Sequence, residues 1–166
     1  LFSIASLWTA TASIIFSSSF SQLIFMTLSA IGYGSFIGVI IMEMDENDGM
    51  TGLKAATLTT AAMFILVFVS GINFANLFFV LIIVSLILIL IIWELSVLVR
   101  GISRGVQKIK AVVAIIIFSL SLLASISMVN VSSDQGLNDW NTAIDLAFSI
   151  YLDIINLILR FLEAMG

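Results

Sequence analysis

Cysteine, histidine and proline are all absent from the 166 residues. Without cysteine there is no disulfide, no thiol nucleophile and no thiolate ligand for an iron–sulfur cluster. Without histidine there is no imidazole base, no haem histidine and no typical zinc site. No cofactor or metal is expected. With nothing to oxidise, composition is silent about redox compartment. Without proline, a helix break has to come from Gly, Ser/Thr or a π-bulge. Charge is scarce as well. Six Lys/Arg and ten Asp/Glu give a net −4 and make up 10% of the chain, where a soluble domain carries about a quarter. No basic cluster is dense enough to grip nucleic acid.

What fills the chain is apolar: 61% of residues are hydrophobic and the mean hydropathy is +1.26. That excludes a soluble globular enzyme, and it excludes a disordered segment, which needs the opposite composition. The expectation is an all-α polytopic transmembrane bundle, one membrane domain over 1–166, with the lipid bilayer as its solvent. The chain begins at Leu1 rather than Met, which is read as processing, trimming or an alternative start codon. No basic stretch precedes the first apolar run, so 2–20 is kept as a membrane segment and not a signal peptide.

A transmembrane helix needs about 20 mostly apolar residues. Six stretches meet or approach this, at about 2–20, 22–42, 53–71, 74–99, 111–131 and 142–164, which gives five or six helices. They are continuous apolar runs and do not alternate, so a β-barrel is excluded. The connections are short. Residues 43–52 read EMDENDGMTG, an acid-rich turn; 100–110 read RGISRGVQKIK; 132–141 read SSDQGLNDWN. Alternation puts Lys54, Arg100, Arg104, Lys108, Lys110 and Arg160 on one side, and the positive-inside rule then places both termini inside, in a cell membrane or an organelle inner membrane. Trp93 and Trp140 suit interfacial belts.

Two patterns stand out within the segments. Ala30, Gly34 and Gly38 recur every four residues, a small-residue stripe that lets two backbones approach closely in lipid. Ala5, Thr9, Ser13 and Ser17 form a matching stripe in the first segment. The second pattern is polar. Asp145, Ser149, Asp153, Asn156, Arg160 and Glu163 follow helical spacing on one face of the last segment. A charge at the bilayer centre costs at least about 2.5–3.5 kcal/mol on insertion scales, so Asp153 must face protein or water, or be protonated. The stripe reads as a proton or cation path, as a buried polar seam, or as the wet face of a helix lying flat at the interface. Asn156 and Arg160, four apart, can bond to each other. Glu94 reads as reaching the inner interface beside Trp93, with a proton relay as the alternative. Asn130-Val-Ser132 fits a glycosylation sequon, a pattern too common to carry weight.

Two resemblances attach to particular residues. From 2 to 69 the chain resembles the J-type membrane subunit of respiratory complex I, subunit 6 in mitochondria, and its relatives in Mrp antiporters and membrane-bound hydrogenases. The residues that carry it are Ser17-Ser-Ser-Phe-Ser21-Gln-Leu23 at the start of the second helix, then Thr57-Leu-Thr-Thr60 and Met63-Phe-Ile-Leu-Val67 in the third. Where that family has Tyr-x-Gly-Ala, this chain has Ala56-Thr-Leu-Thr59. Separately, Ser149-Ile-Tyr-Leu-Asp153-Ile-Ile-Asn-Leu157 is similar to the last helix of the Bax-inhibitor family of membrane channels. The first resemblance implies a structural and ion-relay subunit of a proton- or sodium-translocating complex, with other membrane subunits as partners. The second implies a self-contained ion channel in which Asp153 is the pH sensor. A third reading is a purely structural membrane component of a secretion, pilus, oxygenase or viral assembly. With so few polar groups, none of the three makes the chain itself an enzyme. The ion-path candidates are Asp153, Asp145, Asn156, Arg160 and Glu94.

Overall fold

The structure is a computed structural model, and it describes residues 19–100, 103–137 and 139–166. The first expected segment, 2–20, lies almost wholly outside the described residues, and so do Ala5, Thr9, Ser13 and Ser17. The described chain is all helix and turn. Its helices are α1 (Ser19–Glu43), α2 (Glu46–Ser70), α3 (Leu77–Arg100), α4 (Arg104–Asp134) and α5 (Trp140–Met165). All five are long and apolar enough to cross a membrane. This is a multi-pass integral membrane protein.

The helices reach further into the polar connections than the hydropathy suggests, because the connections are built of helix-starting residues. The acid-rich stretch 43–52 is not a turn. Only Met44 and Asp45 separate α1 from α2. The Asp45 side chain accepts from the Asn47 N–H at 3.2 Å, and Glu46 and Asp48 sit in the first turn of α2. Carboxylates there complement the positive end of the helix dipole. Likewise, most of 100–110 is the opening of α4. Its 31 residues span about 46 Å at 1.5 Å per residue, well beyond a hydrocarbon core of about 30 Å. The helix is therefore longer than the apolar layer is thick.

Turn chemistry sets the other ends. α2 stops at Gly71, which takes the left-handed conformation (φ 63°) that a side chain would oppose. Residues 71–76 are irregular, which pushes the start of α3 back from the expected 74 to Leu77. The Asn76 side chain opens α3 by accepting from the Phe79 N–H at 2.8 Å. Asp139 caps α5, accepting from the Thr142 N–H at 3.1 Å and the Thr142 hydroxyl at 2.6 Å. These bonds hold the exposed Asp139 carboxyl below its ordinary 3.8, the Thr142 hydroxyl contributing most.

α5 is the central helix. It packs along α4 most extensively, then against α2 and α1, while α3 lies on α4. Val67, Leu90, Phe118, Leu122, Ile126 and Leu157 form the core where α2, α3, α4 and α5 meet. Ile37 of α1 joins Ile155, Leu159 and Leu162 in a second cluster. Among the glycines of the described helices, Gly52 of α2 makes the tightest approach to another helix. A Cβ there would stand 3.0 Å from Leu162 Cδ2 and 3.4 Å from the Leu162 nitrogen. Gly52 and the fully buried Ala56, four residues on, make the small-residue contact of the bundle. At Gly34 and Gly38 a Cβ would meet nothing within 4 Å. Gly34 and Gly38 thus face away from the described helices, while Ala30 is half-buried, and the segment expected to cover the stripe lies outside the described residues. The large apolar side chains on the outer surface, such as Met42, Val69 and Phe78, are what a bilayer requires. Lipid tails solvate them as well as another helix would.

Candidate functional site: a polar seam along the central helix

α4 and α5 are neighbours in sequence, joined by residues 135–139, and run antiparallel. Each step of one turn along α4 is therefore matched by a step of one turn back along α5. Ser121 and Ser125, four apart on α4, meet Asp153 and Ser149, four apart on α5. The Ser121 hydroxyl donates to Asp153 Oδ1 at 2.8 Å, and the Ser125 hydroxyl donates to Oδ2 at 2.6 Å. The Ser125 and Ser149 oxygens are 3.0 Å apart. Asp153 is buried at 7% exposure, 13 residues into a 26-residue helix. Both carboxyl oxygens are satisfied by hydroxyls, and among the described residues no base pairs with it. That is an uncommon state for an intramembrane acid, which ordinarily finds a cation or a backbone partner.

Two turns further along α5 the seam becomes charged. Arg160 is 1% exposed. It ion-pairs with Glu94 of α3, and its Nη1 bonds Glu163 Oε2 at 2.6 Å. Lys110 of α4 completes the group, 2.7 Å from Glu163 and 3.7 Å from Glu94. Two acids and two bases make a neutral quartet that ties α3, α4 and α5 at one end of the bundle. Such a cluster is tolerable in an apolar setting only because every charge has an opposite neighbour. Asn156 lies between the two polar groups, buried, its amide donating to the Leu152 carbonyl at 2.9 Å.

The sequence-based expectations compare as follows. Asp153, Asn156 and Arg160 do share one face and are all buried. Asn156 does not bond Arg160, since the backbone carbonyl four residues back is nearer to hand. Glu94 has a partner within the bundle. It is 8% exposed and turned inward, because the Arg160 guanidinium offers a partner there. Asp145 is exposed, one turn from Ser149, outside the buried run. Asn130 and Ser132 of the sequon are helical, and Ser132 is buried. Three participants were not foreseen: Ser121, Ser125 and Lys110. The serines carried a signal in their four-residue spacing, which mirrors that of Ser149 and Asp153. Lys110 carried none, because a lysine at the edge of a basic loop looks solvated. Comparison of the chain with protein families, with curated proteins and with solved structures gives no match.

Proposed function

We propose that this protein is a structural and ion-relay subunit of a larger proton- or sodium-translocating membrane assembly, with the α4–α5 seam as the relay element. The observation that carries the reading is Asp153, a carboxyl buried at mid-helix whose partners among the described residues are two hydroxyls. An acid needed only for packing would be expected to carry a base beside it, as Glu94 and Glu163 do. One held by hydroxyls keeps the freedom to gain and lose a charge. The resemblance of 2–69 to the J-type subunit points the same way. In this reading the end of the bundle bearing Lys54, Lys110 and Arg160 faces the inside of the membrane, by the positive-inside rule.

The neutral quartet supports a second reading, a purely structural component, since it braces three helices through charges paired with one another. The test is Asp153→Asn, which keeps shape and removes titration, combined with native purification of the partners. Loss of ion flux with assembly intact, and redox or antiporter subunits among the partners, supports the relay. Wild-type flux together with wild-type assembly sinks it. A purified lone chain that conducts ions in liposomes would favour a channel of the Bax-inhibitor kind.

A further inference from the structure

We propose that the ion taken up at Asp153 is a proton, and that it arrives from the exposed side of α5 along the hydroxyls of Ser149 and Ser125. This rests on the relay reading and specifies its ion and its route. The four groups form a single file: Ser149 Oγ to Ser125 Oγ at 3.0 Å, Ser125 Oγ to Asp153 Oδ2 at 2.6 Å, and Asp153 Oδ1 to Ser121 Oγ at 2.8 Å. Every spacing is hydrogen-bond length, and each serine oxygen both donates and accepts. A serine chain of this kind passes a proton by exchanging O–H bonds for hydrogen bonds, after which the hydroxyls rotate back to reset the file. A hydronium ion hands a proton to Ser149 Oγ and leaves as water. Ser149 passes its own hydroxyl proton to Ser125, and Ser125 passes its own to Asp153 Oδ2. Each serine ends with one O–H bond broken and one formed, and Asp153 ends as a neutral acid.

The direction of the file follows from exposure. Asp153 is buried, Ser121 and Ser125 are half-buried, and Ser149 is exposed. Asp145, also exposed, stands one turn nearer the start of α5. Asp145 and Ser149 thus form a polar edge leading inward from the Trp140 end of the helix. Ser121 lies on the other side of Asp153 and ends the file. A sodium ion fits the same atoms poorly. It needs several oxygens around it, and here neighbouring oxygens already touch each other at hydrogen-bond distance. The charges nearest along the seam, Glu94, Lys110, Arg160 and Glu163, bond among themselves and not to Asp153. α1 and α2 meet α5 on Ile37 and Gly52, against Ile155, Leu159 and Leu162, round the helix from Asp153, and bring no charge to it. Among the described residues, the route from the exposed Ser149 to Asp153 runs through Ser125.

The test is infrared spectroscopy of the full chain in lipid nanodiscs. The band of a protonated carboxyl that Asp153→Asn removes identifies Asp153, and a switch from H2O to D2O times its exchange. Ser125→Ala should slow that exchange about tenfold or more, the effect of adding about 1.4 kcal/mol to the barrier. Ser125→Thr, which keeps the hydroxyl, should restore it. Ser121→Ala should leave the rate within about twofold, under half a kcal/mol. Three results overturn the proposal: no Asp153 band at any pH at which the protein is folded, equal slowing by Ser121→Ala and Ser125→Ala, or loss of the band on adding sodium at fixed pH. These outcomes concern exchange at one carboxyl. They are separate from the flux and assembly measurements that decide the relay reading itself.

Discussion

Replacing Glu94 with Gln tests whether the charged quartet holds the bundle together. The wild-type group is two acids against two bases, with Arg160 1% and Lys110 7% exposed. Glu94→Gln leaves Glu163 as the one acid of the group facing Arg160 and Lys110, one positive charge in excess within the quartet. Removing one partner of a buried pair costs about 3–5 kcal/mol, because the remaining charge has lost its compensation and has no water. The bilayer gives no relief, since a lone Arg or Lys at depth is itself costly. Adding Lys110→Met restores neutrality, leaving Arg160 with Glu163 at 2.6 Å. The double variant should therefore recover more than half of what Glu94→Gln loses, a coupling that independent sites do not show. Equilibrium unfolding in mixed detergent micelles, followed by tryptophan emission, measures both. Trp93 adjoins Glu94 in α3 and gives a local signal. If Glu94→Gln unfolds within about 1 kcal/mol of wild type, or the two substitutions simply add, the quartet is not buried as described and the reasoning fails.

Three further outcomes follow from the fold. Gly52→Val should destabilise the bundle by about 1–3 kcal/mol through overpacking against the Leu162 backbone, whereas Gly105→Val, where a Cβ has open space, should be milder; thermal unfolding in detergent compares them. The absence of native cysteine makes single-cysteine labelling clean, and positions 46 and 104 should react with an impermeant reagent from the same face of the membrane; labelling from opposite faces would break the topology. Asp139 is held below its ordinary 3.8, so its support for the start of α5 is complete above that value and is lost as pH falls through the lower folded value. Amide exchange at Thr142 should accelerate only on strong acidification, and acceleration near neutral pH would show that the cap is not what protects it.

Composition and periodicity determined the class of molecule, because a helix in lipid must satisfy its own backbone and present an apolar surface. Long apolar runs therefore announce themselves, and those at 22–42, 53–71, 74–99, 111–131 and 142–164 all lie largely within observed helices. The same logic exposed the Asp153 stripe, since a polar residue in such a run has to be accounted for. Helix ends were less legible. Hydropathy sees Glu46 and Asp48 as loop, while a helix N-terminus welcomes them. What only tertiary structure decided is partnership. Periodicity gives the face on which a residue lies but not the helix that face meets, nor its register. Glu94 and Lys110 look like interfacial charges until α3 and α4 are set beside Arg160. Ser121 and Ser125 look like ordinary small residues until α4 runs antiparallel to α5 and brings their spacing level with Ser149 and Asp153. Gly52 emerged as a close contact for the same reason: a small residue matters only where another backbone arrives, and that is fixed by packing between helices, not within one.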